Sequence, residues 1–413
     1  GDPDSNVIKT ILALVNGPDR RAGKYHIVAE IRDPANLEAA RLVAGDEAKI
    51  LPVGELIASI TVQTCRQSGL SAVYTELLDF GGDEIYTRHE TALAGKTFGE
   101  ALMAYEDSCA VGLQRDGQSS FNPPLSTVIR DTDAIIALAR DDDTIHLSGR
   151  ADIPIDTAAI CDPPVETRTP ERTLLIGWNR RAPLIIRELE QYVAPGSILT
   201  VAADLADGAN IIERQGQKCK NLAITFRGGD TSDRTFLEGL EVATYDHVIT
   251  LGYSDKLGPQ EADALTIITL LHLRDMADKL TMRFSIVSEM LDARNRELAE
   301  VARADDFIVG DKIVSQLLAL MSENPEIIPD DLFDAGGSEL YLKPASNYVN
   351  LDKPVNFYTI VESARRHHEV AIGYRLVTKE AQLNRAHGLR LNPNKAEVVK
   401  FSANDMIVIL SES

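Results

Sequence analysis

Four blocks from the first third of this 413-residue chain recur, in the same order, in its last third. Val28-Ala29-Glu30-Ile31-Arg32-Asp33 returns as Val287-Ser288-Glu289-Met290-Leu291-Asp292, an offset of 289 − 30 = 259. Without a gap, the same offset carries Asp4, Ile8, Thr10, Leu12 and Leu14 onto Asp263, Ile267, Thr269, Leu271 and Leu273, and Asn36 onto Asn295. Gly81-Gly82-Asp83-Glu84-Ile85-Tyr86 returns as Gly336-Gly337-Ser338-Glu339-Leu340-Tyr341 (336 − 81 = 255), Asn122-Pro123 as Asn392-Pro393 (392 − 122 = 270), and Val128–Leu138 as Val399–Ile409 (399 − 128 = 271), with an acid shared at Asp133 and Asp405 (405 − 133 = 272). Such self-similarity means that one structural unit is built twice, and any fold for one copy must serve the other.

Between the copies lies a stretch with no earlier twin. Thr173–Ile176 is an apolar strand, Gly177-Trp178-Asn179-Arg180-Arg181-Ala182 a turn, and a helical run leads to Tyr192. The strand Ile198–Ala203 ends on Asp204, and the strand Leu222–Phe226 on Arg227-Gly228-Gly229-Asp230. Strand, glycine turn, helix, strand, acid is how a Rossmann-type sheet begins. Strands alternating with helices through His247–Leu251, Pro259–Met276, Met282–Val287, Ala293–Val301 and Asp311–Ser322 imply a parallel sheet covered on both faces. The fold class is therefore α/β, with two Rossmann-like units, the first lacking its N-terminal half, each followed by a small α+β lobe.

The boundaries follow. Residues 1–80 form the second half of the first Rossmann-like lobe and 81–145 its α+β lobe. Residues 146–171, polar and interrupted by Pro154, Pro163, Pro164 and Pro170, read as a linker. Residues 172–325 are the second Rossmann-like lobe and 326–413 its α+β lobe. The first copy begins at the helix equivalent to residues 261–273, so the natural protein is expected to extend upstream by about a hundred residues, one half-domain. Otherwise the first copy completes its sheet from a partner or remains partial.

The chemistry is sparse. A net charge of −21 disfavours nucleic acid and anionic membrane surfaces, which carry the same sign. Cys65, Cys109, Cys161 and Cys219 have neither CxxC nor Cys/His metal spacing and read as reduced, mostly buried thiols. No apolar run reaches the roughly 18 residues of a membrane span, and Gly1-Asp2-Pro3-Asp4 is no signal peptide. The chain also lacks an initiator Met, so its numbering is expected to begin inside a longer protein. No GxSxG, HExxH or Walker sequence occurs, and catalysis is not indicated.

Two readings of the turn stand side by side. Gly177, Trp178, Asn179 and Arg180, with Asp204, Gly229 and Asp230 at neighbouring strand ends, mark where a dinucleotide would lie. Alternatively the turn only links strand to helix: Arg180 sits where a second close-approach glycine is wanted, and Asp230 holds its own loop. Glu30/Asp33 and Glu289/Asp292 recur at equivalent strand ends, where carboxylates suit Ca²⁺, although Asp33 and Asp292 also suit helix capping. Asp305-Asp306 and Asp141-Asp142-Asp143 read as solvated acids, and the adjacent His367-His368 as a poor chelating pair.

The duplicated motifs Val28–Asp33 and Val287–Asp292, Gly81–Tyr86 and Gly336–Tyr341, with Leu174–Asn179, Arg227–Asp230 and the end strands Ala134–Leu138 and Met406–Leu410, resemble tandem RCK (regulator of K⁺ conductance) domains. More closely, the chain is similar to the cytosolic part of the CASTOR/POLLUX ion-channel family. That resemblance implies an upstream transmembrane pore, a homotetrameric gating ring on the cytoplasmic side of a membrane, and a ligand, Ca²⁺ or an adenine nucleotide such as NAD, that biases pore opening. The competing reading is a soluble NAD-binding transporter subunit or NAD-dependent oxidoreductase.

Overall fold

The structure, a computed structural model, describes residues 3–79, 81–162, 168–280, 284–295, 298, 306–323, 337–377 and 388–412. The second Gly-Gly motif's first residue, Gly336, together with Asp305 and most of the helix expected at Ala293–Val301, lies outside them. The chain divides into two compact units, each assembled from two separate stretches: 1–71 with 167–318, and 72–166 with 319–413.

The first unit opens with α1 (Pro3–Asn16), β1 (Ile27–Ile31), α2 (Leu37–Ala44), β2 (Ala48–Pro52) and α3 (Val53–Arg66); α4 (Leu70–Leu77) follows at its margin. β1 and β2 form a two-stranded parallel sheet. The second unit's first lobe holds β3 (Glu84–His89), α5 (Phe98–Ala104), β4 (Cys109–Arg115), β5 (Gln118–Phe121) and β6 (Ala134–Ala139). The chain then returns to the first unit with β7 (Arg172–Ile176), α6 (Ala182–Tyr192), β8 (Ser197–Ala203), α7 (Gly208–Gly216), β9 (Leu222–Gly228), α8 (Arg234–Glu238), β10 (His247–Thr250), α9 (Pro259–Leu280), β11 (Ser285–Met290) and β12 (Asp306–Val309). These six strands, all parallel, lie in the order β9-β8-β7-β10-β11-β12, the doubly wound order of a Rossmann sheet. The α/β class with Rossmann-like parallel strands is as expected.

α3 is the pivot of this unit. Eleven of its 14 residues are buried, from Gly54 to Cys65. Its polar residues Ser59, Thr61, Gln63 and Thr64 are buried along with its apolar ones, so it is covered all round rather than along one stripe. α3 packs against α6 and β10–β12 of the six-stranded sheet and also touches β1. Ile57, Ile60 and Val62, each at most 2% exposed, contribute roughly 1.5–3 kcal/mol apiece.

The paired residues of the repeat make the same bonds. Asp4 accepts from the N–H groups of Arg32 (3.1 Å) and Asp33 (2.9 Å) and from Asn36 Nδ2 (3.0 Å). Asp263 accepts from Leu291 N (2.9 Å), Asp292 N (3.0 Å) and Asn295 Nδ2 (2.8 Å). Each carboxylate ties a helix to the chain leaving the following strand.

The second unit contains two four-stranded antiparallel sheets of identical order, β3-β6-β4-β5 and β13 (Ser338–Pro344)-β18 (Met406–Glu412)-β15 (Val370–Arg375)-β16 (Leu389–Leu391), and the short strands β14 (Val355–Asn356) and β17 (Val398–Val399) pair with each other. Both bulge at a glycine, Gly112 and Gly373, where a Cβ would come within 2.4 Å of a carbonyl oxygen on the neighbouring strand. Asn122 and Asn392 both hold φ near +43°. The fully buried Lys395 donates to the carbonyls of Tyr105 (2.8 Å) and Ser108 (2.7 Å), stitching the two lobes, and its burial pulls the ammonium pKa down.

Residues 146–162, expected as linker, are bound into this unit. Ile160 bridges Val349, Cys161 N–H donates to Tyr348 O (2.9 Å), and Asp156 N–H to Thr359 Oγ1 (3.0 Å). Composition signals polarity, but a polar backbone still pairs with whatever edge it meets. Asp306, expected to be solvated, is 3% exposed at the start of β12 and accepts from Gly69 N–H (2.6 Å) and Ser71 Oγ.

Candidate functional site

The carboxyl edge of the six-stranded sheet is where ligands of open α/β folds bind, at the switch between β7 and β10. Gly177 turns the chain there at φ +87°, and a Cβ on it would meet Leu251 O at 2.1 Å. The glycine is required by the backbone of the segment following β10, rather than by a pyrophosphate.

That segment, Leu251–Asp255, covers the strand ends. Asn179, fully buried, donates through Nδ2 to Gly252 O (2.9 Å) and Glu289 Oε2 (2.8 Å), while its Oδ1 accepts from Arg181 N–H (2.9 Å). Tyr253 Oη accepts from Asp204 N–H (3.0 Å) and bonds Thr231 Oγ1 (3.2 Å); burial raises the phenol's pKa. Asp255 accepts from Arg180 N–H (2.7 Å) and pairs with its guanidinium at 3.2 Å. The cavity among Ile176, Thr231, Thr250, Leu251 and Tyr253 holds about 10 Å³, room for at most a water.

The other expected positions are similarly engaged. Trp178 is half-buried beside the turn. A Cβ at Gly229 would strike the Phe236 ring at 2.3 Å, so that glycine serves packing. Asp230 accepts from Ser232 Oγ (2.7 Å) and N–H (2.9 Å), which hold its carboxyl below the usual range; it fixes its own loop. The Asp204 side chain is exposed.

The four acids considered for Ca²⁺ have protein partners. Glu30 pairs with Arg32 at 2.7 Å, and Glu289, 3% exposed, with Arg181 at 2.6 Å. Asp33 caps the next turn through Ala35 N–H (2.9 Å), and Asp292 through Arg294 N–H (2.9 Å). Among the described residues, the one group of three or more acids close enough to share an ion is Asp141, Asp142 and Asp143, all exposed. His367 and His368 lie in the turn before β15, His368 at φ +61°.

Arg294 holds the Asp292 carboxyl at about 2, first through its guanidinium and then through its N–H. A carboxyl lowered from 3.8 contributes stability that is complete above pH 4 and lost as pH falls toward 2. Arg294→Ala is expected to remove part of that acid-side slope, read as a Tm profile between pH 5 and 2; a profile identical to wild type would contradict the assignment.

Among the described residues, an opening lies on this edge. A cavity of about 70 Å³ is lined by Glu30 and Arg32 from β1, Gly54 from α3, Arg180 and Arg181 from the glycine turn, and Asp311 from the helix Gly310–Glu323. Three arginines line it beside the first turn of a 14-residue helix, each held by a carboxylate: Arg32 by Glu30, Arg180 by Asp255 and Arg181 by Glu289. Arg32 and Arg180 were within the motifs singled out from the sequence; their convergence was not legible, because it needs the two copies packed together.

Comparison with known proteins now bears on these features. Residues 54–154 match the family described as Castor and Pollux, part of voltage-gated ion channel. Across 99% of its length the chain is 28% identical to a probable ion channel POLLUX of Arabidopsis thaliana and 27% identical to a probable ion channel CASTOR of Oryza sativa subsp. japonica and the ion channel CASTOR of Lotus japonicus. The aligned regions make up 53%, 49% and 51% of those proteins, so the chain spans about half the length of these curated relatives. The human SLO3 gating ring shares the fold, with a TM-score of 0.70 over 98% of this chain and 84% of that one at 14% identity. Among the described residues, no helix is long and apolar enough to cross a membrane. The resemblance drawn from the duplicated motifs is thus borne out: along almost its whole length this chain is similar to the CASTOR/POLLUX ion channels.

Proposed function

We propose that this chain is the non-enzymatic, ligand-sensing part of a cation channel. It works on the cytoplasmic side of a membrane, as a homotetrameric ring coupled to a pore elsewhere in the protein. The observation that carries this reading is the similarity to ion channels along 99% of the chain. The gating-ring likeness of the fold supports it. A ligand that gates must bind the ring's two states with different affinity. The cavity between Arg32 and Arg180 joins residues from both copies, so its shape changes with any shift between them.

The ligand class we favour is a phosphate-bearing one, an adenine nucleotide whose phosphates exchange with the carboxylates of Glu30, Asp255 and Glu289 as partners of the three arginines. The crease over Gly177 is filled, which disfavours a dinucleotide laid along it. The acids at Glu30, Asp33, Glu289 and Asp292 are neutralised or capping, which disfavours Ca²⁺ there. A thermal-shift series with ATP, ADP, NAD and CaCl₂ tests this. At a hundredfold excess over Kd, a bound nucleotide is expected to stabilise by about 2.7 kcal/mol, a rise of several degrees. Arg32→Ala and Arg180→Ala are expected to remove that rise. A CaCl₂ shift abolished by Glu289→Gln would overturn the ranking. In the full-length protein, nucleotide-dependent open probability in planar bilayers, lost in Arg32→Ala, is the functional counterpart.

A further inference from the structure

The second unit carries a larger cavity unrelated to the Rossmann edge. α5 and the helix Phe357–Arg366 are the same element of the two lobes. Thr97 caps one by accepting from Glu100 N–H, and Asn356 caps the other through Thr359 N–H (356 − 97 = 259). The two helices pack against each other. Beside this junction opens a cavity of about 420 Å³, within the roughly 300–1,000 Å³ of small-molecule sites.

Its symmetry is broken by the connecting segment. Ser148 N–H donates to Ala104 O (2.8 Å) and Tyr105 bridges Leu147, so the segment leaves along the first lobe before reaching the second at Asp156 and Ile160. On the way Ile153 and Ile155 form one wall of the cavity, facing Leu93 and Met103. The surface is mostly apolar.

The charges at the rim are unequal in their commitments. Arg150 is paired with Glu106, Arg365 with Glu362 (2.7 Å), and Glu100 accepts from Thr97 N–H (2.7 Å) within the helix cap. Among the described residues Lys96 forms no ion pair within 4 Å; the acid its charge acts on is Glu100, four residues on, whose carboxyl is bonded by Thr97. An apolar chamber with one ammonium outside any close ion pair complements a molecule with an apolar body and a single acidic group.

We propose that this cavity binds a small amphipathic anion, its body against Leu93, Met103, Ile153 and Ile155 and its acidic group at Lys96. Because the walls come from both lobes and the segment between them, occupancy braces all three. The inference needs only the folded lobes and stands whether or not a nucleotide binds at Arg32.

The test uses 1-anilinonaphthalene-8-sulfonate and its uncharged analogue N-phenyl-1-naphthylamine, titrated by fluorescence into the whole chain. The sulfonate is expected to saturate at one per chain. Lys96→Gln is expected to weaken it about tenfold while leaving the uncharged probe unchanged. Ile153→Trp, which fills the chamber, is expected to abolish both. Circular dichroism confirms that each variant is folded; should Ile153→Trp misfold, the contrast between the two probes in Lys96→Gln decides. Non-saturating binding, or saturable binding that neither substitution alters, would overturn the proposal.

Discussion

Gly177→Ala is expected to destabilise the first unit by about 3–5 kcal/mol. The φ of +87° costs an L residue roughly 1–2 kcal/mol, and forcing a Cβ to 2.1 Å from Leu251 O adds overpacking of roughly 1–3 kcal/mol or more. The obstacle is backbone, held by Leu251 N–H donating to Ile176 O (2.8 Å), so it cannot swing aside as a side chain would. Gly216, the last residue of α7, is the control: a Cβ there meets only Ile224 Cβ at 3.9 Å, an ordinary contact, and its φ is not in the left-handed region, so Gly216→Ala should be neutral or slightly stabilising. Urea or thermal unfolding measures both. A Gly177→Ala protein as stable as wild type would mean that the segment 251–255 does not close over the turn.

The second large effect is expected at Asp263. Its carboxylate, fully buried, serves two backbone N–H groups and the Asn295 amide. Asp263→Ala orphans all three, at roughly 1–3 kcal/mol for each buried donor, and a net loss of about 3 kcal/mol or more is expected. Asp263→Asn keeps one acceptor oxygen and should lose less. Asp4→Ala, 2% exposed with the same three partners, should lose a comparable amount. With two units, unfolding need not be two-state, so the readout is the transition assigned to the first unit. A large loss at Asp263 with none at Asp4 would show that the two networks, alike in geometry, differ in what they support.

The sequence was most legible where burial is symmetric. β7, β8, β10 and β11 are covered on both faces and read as short apolar runs, which periodicity finds. β12 was missed because it begins with an acid whose partners, Gly69 and Ser71, lie more than 230 residues earlier. α4, α7 and α8 were missed as well, being short helices that tertiary packing selects over local propensity. At the site, the repeat identified the acids Glu30 and Glu289 as structurally equivalent but not their partners. Arg32 is two residues from Glu30, whereas Arg181 is 289 − 181 = 108 residues from Glu289. Equivalent positions in duplicated units therefore acquired different ion pairs, which no pattern within one copy reveals. The glycine turn shows the reverse case. Its geometry was legible, but the reason for it, a carbonyl 74 residues on (251 − 177 = 74), was not.

The discontinuity of both units bears on how this protein is made. Residues 1–71 cannot bury α3 until α6 and β10–β12 exist, and those elements emerge only after all of 72–166 has been synthesised. At roughly 5–20 residues per second, the 309 − 66 = 243 residues from the end of α3 to the end of β12 leave that helix uncovered in the newborn chain for about 12–50 s, longer in slowly translated messages. Such exposure invites holdase chaperones and off-pathway association. Synonymous codon changes that slow passage through 72–166 should therefore lower the soluble yield, while slow codons within 319–413, after the first unit has closed, should be tolerated.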